Sequence, residues 1–143
     1  MLEARAEVTA ANLERCCRLM NAAVPDCLVT GHESLIPNLS LPDPDDRHVL
    51  AAAIHAGAES IITFNLKDFP EDQTGPHGVS AIHPDTFLAR LLDGFEHEVC
   101  LALRNQRGLL KNPPKTVSEH LTTLEKVGLV QSVALLRCLD DRL

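Results

Sequence analysis

Three aspartates fall within four residues, Asp43, Asp45 and Asp46, at the head of the stretch "LPDPDDRHVLAAAIHAGAESIITFNLKDFP". A second polar group, Asn65 and Asp68, closes the same stretch, with Thr63 just before it. Carboxylates gathered at one point repel each other unless a cation joins them. Hard oxygen donors of this kind suit Mg²⁺ or Mn²⁺, held by one or two carboxylates plus water and substrate phosphate. Such an ion activates water and steadies the leaving oxygen in phosphodiester cleavage. Asp43, Asp45, Asp46 and Asp68 are therefore candidate metal ligands, and Thr63 is placed to orient a phosphate or a metal-bound water. A second reading stands beside this one. Aspartate before a helix is an N-cap, and "PDPDD" is good turn chemistry.

The elements that must bring the two groups together can be read from the pattern between them. A helix is expected to start at Asp45 or Asp46, run to about Ala56 and stop at Gly57. Its residues Val49 to Ile54 leave little polar face, so most of it should be buried. "SIITF", Ser60 to Phe64, is a short apolar run with β-branched residues and reads as a central strand. A helix followed by a strand running back returns the chain to the helix start. Asn65 and Asp68 should then lie beside the three aspartates, at the carboxyl edge of a parallel sheet, where open α/β sheets bind ligands.

Around this unit the pattern predicts a helix from Glu3 to Ala23 ended by Pro25, a strand at Cys27–Thr30 and a proline-rich loop from His32 to Pro44. It predicts a further strand at Val79–Ile82 and a helix from Pro84 to Leu92. After Gly94 come an amphipathic helix, a "KNPPK" linker, a helix opened by a Thr116–Glu119 capping box, and a last helix from Gln131 to Leu139. Alternation of helix and strand indicates an α/β fold: a small parallel sheet with flanking helices, followed by a C-terminal helical appendage. The expected domains are 1–94 and 95–143.

Composition agrees. The chain has 143 residues with 45% hydrophobic and 3% aromatic content, so Ala, Val, Leu and Ile must build the core. A net charge of -7 excludes a passive nucleic-acid coat, which needs cations to neutralise phosphates. It leaves a metal-dependent nuclease open, because such sites are acidic before the metal arrives. Five cysteines without CxxC spacing point to reduced thiols and a cytoplasmic protein rather than a disulfide framework or zinc ribbon. Cys16 and Cys17 read as core and surface of one helix. No apolar run reaches the length of a membrane span.

The stretch from Leu41 to Pro70 closely resembles the second half of a PIN domain, in the branch that includes VapC-type toxins of toxin–antitoxin pairs. The resemblance covers about Leu13 to Leu92, and "HPDTFLARLLD" and "LKNPPKTVSEHL" look like the helical tail of that branch. It implies a metal-dependent endoribonuclease that uses Mg²⁺ or Mn²⁺, cuts single-stranded or structured RNA, and is neutralised by an antitoxin protein. By this resemblance Asp46, which opens the helix continuing "VLAAA", is the first catalytic candidate and Asp43 the next. Where the family carries a T-x-D string this chain has Thr63-Phe64-Asn65. Asn65 therefore offers one carbonyl oxygen on the substrate side in place of a carboxylate, and Asp68 is the substitute. The family's first strand, with its first aspartate, and first helix, with its glutamate, have no counterpart here; Glu3, Glu7 and Glu14 fall on a later helix. The expectation is a PIN-like domain lacking its N-terminal strand and helix, whose exposed sheet edge is covered by homo-oligomer pairing.

Two other functions compete. A non-catalytic PIN-derived interaction or dimerisation module fits Asn65 and the unmatched first aspartate. An anion-binding α/β domain is a third option, without a Gly-rich loop to support it. His48 and His55, seven apart on one helix, lack a third ligand in view. Arg104, Arg107, Lys111 and Lys115 read as a solvated helix face.

Overall fold

The computed structural model describes residues 9–143. Helix α1 spans Ala10–Ala23; the Thr9 hydroxyl accepts the Asn12 N–H at 3.3 Å and so starts it. The earlier part of the expected helix, with Glu3 and Glu7, lies outside the described residues. None of α1 is buried: Leu13, Leu19 and Met20 are all exposed. Cys16 and Cys17 are both exposed as well, so neither is a core residue, contrary to the expectation from the helical pattern.

The expected strand at Cys27–Thr30 does not form, and Leu28 is exposed. β-forming residues make a strand only where a neighbouring edge offers its N–H and C=O groups, and none of the described residues does so here. The proline-rich loop is more ordered than expected. It tightens into a 3-10 turn at Glu33–Asn38, which lowers Leu35 and Ile36 onto the core beside Leu39 and Leu41.

A second 3-10 turn, Pro44–Asp46, leads into α2, Arg47–Ala56. Helix α2 ends at Gly57, whose φ of 65° is a conformation that glycine adopts without a Cβ penalty. Leu50, Ala51 and Ala53 of α2 are buried with Ile61, Phe69 and Val79, as the apolar run predicted. Two strands follow in sequence, β1 at Ser60–Ile62 and β2 at Ser80–Ile82, separated by the short helix α3, Glu71–Thr74. They pair in parallel, Ser60 with Ser80, Ile61 with Ala81 and Ile62 with Ile82. The parallel α/β arrangement is the one expected. The strand is shorter than expected, however, and it is not central. Among the described residues the sheet has two strands, which leaves Ile62 exposed.

The C-terminal part is helical: α4 at Pro84–Gly94, α5 at Glu96–Leu109, α6 at Val117–Lys126 and α7 at Val130–Leu136. The last expected helix, Gln131–Leu139, is divided, with a 3-10 segment at Arg137–Arg142 after α7. Leu92, Val99, Cys100, Leu121, Val133, Leu136 and Leu143 form a second core, separate from the one around α2. Each fully buried leucine here contributes roughly 1.5–3 kcal/mol. The Thr116–Glu119 capping box is present in both directions. Asp85 of α4 accepts the N–H groups of Gln131 and Ser132 at 2.8 Å each, and so ties α4 to the start of α7. Burial opposes ionisation of Asp85, but the bonds from Ser132 and Gln131 outweigh it and hold its pKa below the usual carboxylate value. The basic stretch is not simply a solvated face. Arg107 donates to the carbonyls of Lys115 and Leu143, and Lys115 donates to the Thr123 hydroxyl.

Candidate metal centre

The turn between α2 and β1 is tight. Gly57 donates to the Ile54 carbonyl at 3.1 Å and Ala58 to the Ala53 carbonyl at 2.9 Å, so the chain reverses within a few residues. Strand β1 therefore ends near the place where α2 begins. Carboxylate oxygens of Asp43, Asp46 and Asp68 lie within 4.8 Å of one another, although Asp43 and Asp68 are far apart in sequence.

Local hydrogen bonding decides which aspartates are free. Asp43 is the cap: its Oδ1 accepts the Asp45 N–H at 2.9 Å and starts the 3-10 turn. Asp46 stands at the N-cap position of α2, yet its side chain makes no capping bond. The capping account thus holds for Asp43, at the 3-10 turn, and fails for Asp46, one of the two residues expected to cap α2. Asp45 is exposed and lies outside the group of three; its carbonyl contacts His48 Nδ1 at 2.6 Å. That contact occupies one ring nitrogen of His48. His55 is exposed and packs beside Gly31.

The other side of the group is built by the turn after β1. Thr63 N–H still donates to the Ile82 carbonyl at 3.0 Å, which extends the pairing by one bond. The Thr63 hydroxyl accepts the Asn65 N–H at 3.0 Å, so it shapes the turn. The Asn65 side-chain amide donates to Asp68 Oδ2. Asn65 thereby holds one oxygen of Asp68 and leaves the other open.

The donor set fits a hard divalent cation. All three groups offer carboxylate oxygen, the ligand type that Mg²⁺ and Mn²⁺ prefer. Opposite ligands of an octahedral Mg²⁺ stand about 4.2 Å apart, close to the spread of this group. Asp43 is exposed, and Asp46 and Asp68 are half-buried, so the edge is open to a large substrate. A small-molecule site would be a concave, mostly apolar pocket. A recess of about 270 Å³ does exist, but it is lined by Ala89, Leu92, Glu96 and Leu139, away from the carboxylates.

These features define an α/β protein with an acidic carboxyl edge and a helical C-terminal part. Comparison with known proteins adds a family. Residues 84–138, from α4 past α7, match the family described as the VapC50 C-terminal domain. A protein of Mycobacterium tuberculosis named "Putative ribonuclease VapC50" is 42% identical over 79 residues, which cover 55% of this chain and 47% of that protein. The chain spans about half the length of the curated relative it matches. No solved structure matches the chain. Both matches are to VapC50 proteins, in line with the VapC-type branch to which the sequence is similar. Among the described residues no helix is long and apolar enough to cross a membrane.

Sequence patterns had little to say about two residues near this edge. His83 accepts the Asp85 N–H at 3.2 Å and caps α4; "HPD" before a helix is the signal that marks it. Phe64 packs against His83, a contact between two strand ends that no local pattern encodes.

Proposed function

We propose that this chain forms the acidic metal-binding edge of a VapC-type endoribonuclease, with RNA as substrate and an antitoxin protein as its inhibitory partner. The observation that carries the reading is the convergence of Asp43, Asp46 and Asp68 from two separate turns. In this reading Asp46, Asp43 and Asp68 hold Mg²⁺ or Mn²⁺, and Asp45 stands at the rim. Bound there, the ion supplies a nucleophilic water and stabilises the leaving oxygen. Asp46, free of capping duty, is the principal ligand and with Asp43 the catalytic pair. Asn65 fixes the orientation of Asp68, and Thr63 holds the turn that presents both to the substrate phosphate. The two-unit organisation, 1–94 and 95–143, belongs to the proposal; α4 closes the first unit in sequence and packs on the second. A cytoplasmic setting accords with five free cysteines. Pairing of two copies along the open sheet edge would cover the exposed Ile62.

A second reading, a non-catalytic interaction or dimerisation module, is favoured by one residue: an amide at position 65 gives a weaker hold on a cation than a carboxylate. The two separate on Mn²⁺ titration by calorimetry and on cleavage of an unstructured RNA. The nuclease reading expects metal binding and metal-dependent cutting in the wild type, both lost in Asp46→Asn with the fold intact by circular dichroism. Absence of binding at millimolar Mn²⁺ overturns it in favour of the interaction module.

A further inference from the structure

Phe64 lies between Thr63 and Asn65, so its backbone belongs to the turn that presents the carboxylate group. The residue is 57% exposed. A single exposed apolar residue is ordinary; the way this ring is held is less so. The His83 ring stands perpendicular to it, with centroids 5.1 Å apart, and His83 is itself fixed by its bond from Asp85 N–H. Gly128, with φ of +100°, lies so close that a Cβ there would come within 3.3 Å of Phe64 Cε1. The ring is thus neighboured by two groups while the residue stays exposed. Because β1 and β2 run parallel, Phe64 and His83 both follow strand ends on the carboxyl edge, the edge that carries Asp68.

An acidic edge on a chain of net charge -7 attracts phosphates poorly. Binding of a polyanion there needs an attraction that does not depend on charge. Every nucleobase has an apolar face, and stacking on an aromatic side chain supplies that attraction without regard to sequence. We infer that Phe64 is a stacking platform for an unpaired base of single-stranded RNA, placed beside the phosphate that the carboxylate group addresses. The inference rests on the ribonuclease reading for its substrate class.

The chain contains no Trp, so Phe64→Trp gives a protein with one indole at the platform. Phe95, exposed to a similar degree but located between α4 and α5, gives the control Phe95→Trp. A short single-stranded RNA oligonucleotide is titrated in EDTA, so that binding is read without cleavage. Quenching of the Phe64→Trp emission with little change for Phe95→Trp is the expected result. With a labelled oligonucleotide, anisotropy should show binding weakened about tenfold by Phe64→Ala, and comparably by Phe64→Leu. Leucine keeps an apolar contact with His83 and Gly128 but has no π face, so full binding by Phe64→Leu would mean packing alone and would overturn the inference. Equal quenching of both indoles, or none, overturns it too. Quenching at position 64 without metal-dependent cleavage in the wild type would retain the platform and remove the nuclease. Metal-dependent cleavage with KM unchanged in Phe64→Ala would do the reverse.

Discussion

At position 65 an amide stands among carboxylates. Its side-chain N–H bonds Asp68, so this neutral residue removes one charge from the group and ties down a second. An aspartate in its place would set two carboxylates against each other. Two such charges about 4 Å apart cost roughly 1 kcal/mol even in a water-like environment. Asn65→Asp should therefore lower the melting temperature of the metal-free protein. It should also increase the rise in melting temperature on adding Mn²⁺, since a cation then relieves more repulsion and gains a ligand. Thermal unfolding with and without Mn²⁺ checks both; an Mn²⁺ response equal to wild type would mean that position 65 does not face the ion. The aspartates show which part of a site local sequence encodes. "PDPDD" marks a turn and a cap, but which of Asp43, Asp45 and Asp46 does the capping depends on the 3-10 turn before α2, and the structure gives that role to Asp43.

Helices were legible where their signals are local. Gly57 stops α2 by its φ, and Thr116 with Glu119 opens α6, because both effects act within one turn. Strands were legible only in part. Cys27–Thr30 has strand composition but finds no partner, and β1 stops at Ile62 because pairing depends on residues far along the chain. Helix α6 also carries a feature that no pattern announces. His120 is buried, and neither ring nitrogen has a partner. Burial first, then the nearby charges of Lys115 and Arg107, hold its pKa below the ordinary histidine value. The unfolded chain therefore binds a proton that the folded chain refuses once the pH falls below about 6.5. Its stability is complete above that pH and declines as the pH drops toward the folded-state value. His120→Leu, which replaces two unpaired polar atoms with apolar ones, should be at least as stable as wild type at about pH 8 and more clearly so at about pH 5. Urea denaturation across that range reads the difference between the two proteins, so the other histidines cancel. A variant that loses stability in parallel with wild type would assign the pH dependence elsewhere.

Taken whole, the molecule has two cores that share no buried residue, one around α2 and one among α4 to α7. The candidate metal site belongs to the first, since Asp43 and Asp46 lead into α2 and Asp68 follows β1. The family match covers the second, from residue 84. Contact between them at the carboxyl edge includes Phe64 against His83 and Gly128. If the cores unfold as separate units, damage to one should leave ligand stabilisation of the other intact. Leu136 is fully buried in the second core, and Leu136→Ala should cost it about 2–5 kcal/mol. Calorimetry of this variant should then show an early transition that Mn²⁺ does not move and a later one that Mn²⁺ raises as much as in wild type. A single transition, lowered as a whole and shifted as a whole by Mn²⁺, would mean that the helical part is required for the acidic edge to hold its shape. In that case the boundary near residue 94 would divide the sequence but not the folding unit.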